Sequence, residues 1–88
     1  MTPIDFAVSL IAYAGWSRGS VTSWGRSPER NALPSIRGHA NSLHLSFLAA
    51  DIGYHPNPTP PLAKARKRAS QLGMRLLRES DHDHLQAL

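Results

Sequence analysis

Cysteine is absent from this 88-residue chain, which excludes disulfides, thiolate zinc sites, iron–sulfur clusters and a cysteine nucleophile. Acidic side chains are few: 6 Asp and Glu stand against 10 Lys and Arg, a formal charge of +4 with an isoelectric point near 10.4. Long hydrophobic runs are missing too. The most apolar stretch, residues 1–16, has no Lys or Arg in its early part and carries Asp5, unlike a signal peptide, and falls short of the roughly 20 apolar residues of a membrane span. It reads as a core helix, and the chain is expected to lack an export signal. The length fits one domain, residues 1–88, burying only about 60–65% of its unfolded surface. Domains this small often draw stability from a bound metal. Here any metal must be held by His, Asp or Glu, and the 5 histidines exceed what average composition supplies.

The positive charge suits an anionic partner: nucleic acid, anionic lipid or an acidic cell-wall polymer. Lys64, Arg66, Lys67 and Arg68 form the single dense basic cluster, and its helical setting reads as a solvated face. Thr2 as a cap, Pro3 at the first helical position and Asp5 near the positive end of the dipole open the first helix. Ile4, Val8 and Ile11, and separately Phe6, Leu10 and Tyr13, recur at helical spacing, and Gly15 marks the stop. Ser20-Val21-Thr22-Ser23-Trp24 reads as a strand. Ser27-Pro28-Glu29 opens a helical turn that ends before Pro34, and residues 34–41 form a loop. Leu43-His44-Leu45 and Leu48-Ala49-Ala50-Asp51-Ile52 read as strands or as one kinked strand. Four prolines exclude regular structure over residues 54–61. A second helix follows over residues 62–72, ended by Gly73, and residues 74–79 alternate as a last strand leading directly into Asp81-His82-Asp83-His84. The expected fold is α+β, a small mainly antiparallel sheet flanked by two or three helices.

Three places hold polar residues that a bland surface does not explain: Arg26, the pair His44 and Asp51, and the run Asp81-His82-Asp83-His84. Two histidines, a carboxylate and an open fourth position make a hydrolytic zinc site. His82 and His84 share a face if a strand runs through them. His44 and Asp51 are seven residues apart and would point to opposite faces of one unbroken strand. Ligation of one ion therefore requires a break between them, expected at Ser46-Phe47.

These residues resemble a known family. The run Val21-Thr22-Ser23-Trp24-Gly25-Arg26-Ser27-Pro28-Glu29-Arg30-Asn31 resembles the TSGYRSPERN segment of small zinc D,D- and L,D-peptidases of peptidoglycan. The run from Ser42 to Ile52 resembles their SxHxxGxAxD signature, and Asp81-His82-Asp83-His84 resembles their closing (D/E)xxH or HxH segment. These are the D-alanyl-D-alanine carboxypeptidases and VanX-like peptidases, including phage L-alanyl-D-glutamate endolysins, whose fold is the hedgehog/D-Ala-D-Ala peptidase type. The resemblance covers about three-quarters of the chain, in the family's order.

The resemblance implies zinc ligands at His44, Asp51 and His84, and a catalytic carboxylate at Asp81. It further implies an oxyanion-stabilising guanidinium at Arg26, a substrate-lining hydroxyl at Ser42, and His82 as a neighbouring catalytic residue. Glu79 and His82 satisfy the same three-residue spacing as Asp81 and His84, so both pairings stay open. Phe47 stands where the family has glycine, the natural residue for a bulge or a positive φ, and residues 33–38 depart from the family's Gly-rich loop. The implied function is zinc-dependent hydrolysis of a peptide bond next to a D-amino acid in cell-wall stem peptides. The small size, single-domain layout and expected lack of an export signal add the expectation of a monomer made in a host cytoplasm and acting on the wall or periplasm, including from a virion. Two rival readings remain: a catalytically inactive relative that binds wall peptides, favoured by Phe47, and a basic nucleic-acid-binding domain, which lacks a recognisable motif. His39 and His55 read as surface or loop residues, Trp16 and Trp24 as core or cleft wall.

Overall fold

The computed structural model describes residues 1–24 and 47–88. The expected turn at Ser27-Pro28-Glu29, the loop over 34–41, the strand piece Leu43-His44-Leu45, and Arg26, His39, Ser42, His44 and Ser46 lie outside the described residues.

Helix α1, Pro3–Ser17, starts on the expected cap. The Thr2 hydroxyl accepts from the Asp5 N–H at 3.1 Å and the Asp5 carboxylate accepts from the Thr2 N–H at 3.0 Å, a reciprocal box that satisfies two otherwise unpaired donors. The helix runs past Gly15 to Ser17 and ends on Arg18 in the left-handed region at φ 59°. Gly15 does not stop it because Ser17 is buried against the core and its hydroxyl accepts from the Gly19 N–H at 3.2 Å, moving the turn to Gly19. There a side chain has no room: a Cβ would lie 2.5 Å from Ile52 Cγ2. Phe6, Leu10 and Tyr13 are buried, whereas Ile4, Val8 and Ile11 face outward. α1 therefore buries one apolar face and exposes another, a correction to its reading as a core helix.

Strand β1, Ser20–Trp24, and β2, Ala49–Gly53, pair antiparallel, with a register shift between Val21 and Ser23 that leaves Thr22 as the extra residue. Helix α2, Leu62–Gln71, lies within a residue of expectation; it directs Ala65 and Ala69 inward and keeps Lys64, Arg66 and Lys67 exposed. Gly73 follows at φ 76°, the conformation that favours glycine after a helix. Between β2 and α2 the proline-rich segment has no regular structure, His55 is an exposed loop residue, and His55–Pro56 is cis.

Strand β3, Met74–Arg78, is not the last strand as expected: β4, Asp83–Ala87, follows it. All pairings are antiparallel and the order is β1-β2-β4-β3, so β4 fills the space between β2 and β3. Its first residues read as a polar tail because the alternation that buries them, Asp83 and Leu85 inward and His84 and Gln86 toward the other face, is interpretable only once Asp83 has its partners. Both helices share one core with the sheet, built from Phe6, Leu10, Tyr13, Ile52, Met74 and Leu85 together with small alanines. Burying each large apolar side chain contributes about 1.5–3 kcal/mol. No helix among the described residues is long and apolar enough to cross a membrane.

Candidate metal and catalytic site

The antiparallel register sets Asp51 of β2 directly opposite His84 of β4. Directly opposed residues project to the same face of a sheet, here the face turned away from the helices. His84 Nδ1 lies 3.1 Å from Asp51 Oδ1, and both side chains are one-fifth exposed. The other ring nitrogen, Nε2, is 3.1 Å from Oε1 of Gln86. The Asp51 carboxylate holds the His84 imidazole above the ordinary histidine range, and burial opposes it. Gln86 was not singled out in the sequence; its signal is the two-residue spacing that puts it on His84's face.

β3 and β4 are joined by a short hairpin closed by the Glu79 N–H donating to the His82 carbonyl at 2.9 Å. Asp81 sits in this turn, largely exposed, with Oδ1 2.6 Å from His82 Nδ1. His82 Nε2 reaches to 3.9 Å from Asp51 Oδ1. Asp81, His82, Asp51 and His84 are thus one continuous chain of carboxylates and imidazoles at one end of the central strands. His84 makes the shorter approach to Asp51, and Glu79 lies exposed at the hairpin's start. Asp51 and His84 are donor types that suit zinc. His44, the third expected ligand, is outside the described residues, as are Arg26 and Ser42, and among the described residues no three His, Asp or Glu side chains are placed together so as to hold one metal ion.

Phe47, one of the two positions where a break between His44 and Asp51 is expected, has φ 60°. The left-handed conformation costs a non-glycine residue about 1–2 kcal/mol. Two contacts offset it. The Trp24 indole N–H donates to the Phe47 carbonyl at 3.3 Å, and the two rings meet edge to face, centroids 5.9 Å apart at 83°. Such a ring pair contributes about 0.5–1.5 kcal/mol and such a hydrogen bond about 1 kcal/mol. Trp24 opposes Ala50 in register, so it belongs to the other face from Asp51, and it is partly exposed rather than a core residue.

Beneath the site runs a network that no local sequence pattern signals. Asp83 is 1% exposed. It accepts from Arg78 Nε and a terminal guanidinium nitrogen, both at 2.8 Å, and from the Tyr54 hydroxyl at 2.6 Å. Tyr54 and Tyr13 hydroxyls are 2.7 Å apart, tying the hairpin to α1. Burial alone would raise the Asp83 pKa, but the guanidinium and the Tyr54 hydroxyl outweigh it and hold the carboxyl below its usual range. Burial, followed by the hydrogen bond to Asp83, pushes the Tyr54 hydroxyl well above the usual tyrosine range. The alternation Asp81-His82-Asp83-His84 thus divides its work: the histidines face the site and Asp83 anchors the strand from below.

No protein-family model matches the chain, and neither a curated protein nor a solved structure matches it.

Proposed function

We propose that the chain is a zinc-dependent peptidoglycan peptidase that hydrolyses a stem-peptide bond adjacent to a D-amino acid. The observation that carries this reading is the opposition of Asp51 and His84 at 3.1 Å, with Asp81 and His82 continuing from it. The three-segment resemblance supplies the substrate class. His44, Asp51 and His84 would hold the ion. Bound zinc polarises a scissile carbonyl and lowers the pKa of a water towards about 7.

Asp81 accepts the proton of the attacking water and returns it to the leaving amine. His82, 2.6 Å from Asp81 Oδ1, orients that carboxylate. Arg26 donates to the oxyanion as it forms, and Ser42 lines the substrate. Phe47 at φ 60° supports activity: the backbone takes the turn that glycine would favour, although the side chain is aromatic. The decisive assay is release of stem-peptide fragments from purified peptidoglycan with zinc present and their suppression by a chelator. Zinc-loaded protein that releases nothing beside an active control peptidase would overturn the reading.

A wall-peptide-binding relative without hydrolysis is the second reading, favoured by the exposure of Asp81, 83% for its side chain. Saturable stem-peptide binding without fragment release would establish it.

A further inference from the structure

We infer that Trp24 is a positioning residue for the metal site, acting through Phe47; the inference rests on the zinc reading above. Phe47 stands three residues after His44 and four before Asp51 in the sequence, so its backbone angle sets how the chain passes from one proposed ligand to the other. The corner is gripped at two adjacent carbonyls. Trp24 of β1 donates its indole N–H to the carbonyl of Phe47, and the Ala87 N–H of β4 donates to the carbonyl of Leu48 at 2.9 Å.

The second grip is a backbone bond that any residue at 87 except proline makes. The first depends on one side chain, because indole offers a single N–H donor. Edge-to-face contact with the Phe47 ring adds a second hold from the same residue. β1 itself contributes no ligand to the ion in this scheme; its part is to keep a non-glycine residue in the left-handed region from which β2 departs towards Asp51.

The test is a double-mutant cycle of Trp24→Phe, which keeps a ring and removes the donor, with Phe47→Gly, which removes the need to be held. Zinc affinity is read by competition with a chromogenic chelator, and zinc-free stability by urea unfolding. Trp24→Phe in the natural background is expected to weaken zinc roughly tenfold, the lower range for loss of a group that supports a ligand. In the Phe47→Gly background the same change should alter affinity by less than about twofold, since glycine takes the angle unaided. Equal losses in both backgrounds, or no loss in either, would overturn the inference. Failure of the unaltered protein to bind zinc would refute the metal reading and the positioning role with it. The zinc-free unfolding cycle would then still decide whether Trp24 holds Phe47.

Discussion

At Asp83 a carboxylate with almost no exposed surface is kept ionised by Arg78 and Tyr54. Its folded pKa lies below the unfolded value of about 3.9. The group therefore stabilises the fold fully above about pH 5 and progressively less as falling pH protonates it. Asp83→Asn should cost on the order of 2–4 kcal/mol in urea unfolding at pH 7, because it leaves a partly buried guanidinium without its counter-charge. That difference from the unaltered protein should shrink below pH 4; a constant difference from pH 7 to pH 3 would contradict the assignment. Under the proposed function the residues above it divide into ligands and a proton-transfer group. His84→Ala and Asp51→Ala should abolish stoichiometric zinc in metal analysis, whereas Asp81→Asn should retain zinc and lose about 10²–10⁴-fold in turnover, the range for general acid–base groups. Zinc loss in Asp81→Asn would move that residue from proton transfer to ligation.

Helix α1 joins a local signal to a non-local one. Its cap was legible because Thr2, Pro3 and Asp5 act within one turn, and Thr2→Ala should lower stability by about 1 kcal/mol. Its two apolar stripes were equally visible, but which of them the sheet covers depends on distant residues. Leu10→Ala is expected to cost about 2–5 kcal/mol, and Val8→Lys to stay within about 0.5 kcal/mol, both by denaturant midpoint. A large loss in Val8→Lys would mean that this stripe is covered. Strand β4 shows the same division. The spacing of His82 and His84 anticipated a shared face, yet the strand was hidden because Asp83 looks like a surface residue until Arg78, on the adjacent strand, and Tyr54, 29 residues earlier, are placed beside it. If His44 and Asp51 bind one ion their odd spacing calls for a break at Ser46-Phe47, and Phe47 has a positive φ, but the indole that holds a phenylalanine there comes from a strand 23 residues away.

For the molecule as a whole, the four-stranded antiparallel sheet with two described helices agrees with the expected α+β class. A domain of this size has a thin stability margin, so an ion bound only by the folded state should be felt throughout it. At zinc concentrations about 100-fold above Kd the gain is about 2.7 kcal/mol, which for a domain of 60–100 residues raises Tm by roughly 10–20 °C. Calorimetry with zinc and then with excess chelator checks this, and an unchanged Tm with zinc bound would contradict it. The strand order carries a kinetic consequence as well. Asp51 and His84 lie on the two inner strands, each hydrogen-bonded on both sides, so neither is released by fraying of an edge. Their amide protons should exchange with solvent only when the whole sheet opens, and a deuterium-exchange experiment would find the slowest protons of the chain at the residues that face each other across the site.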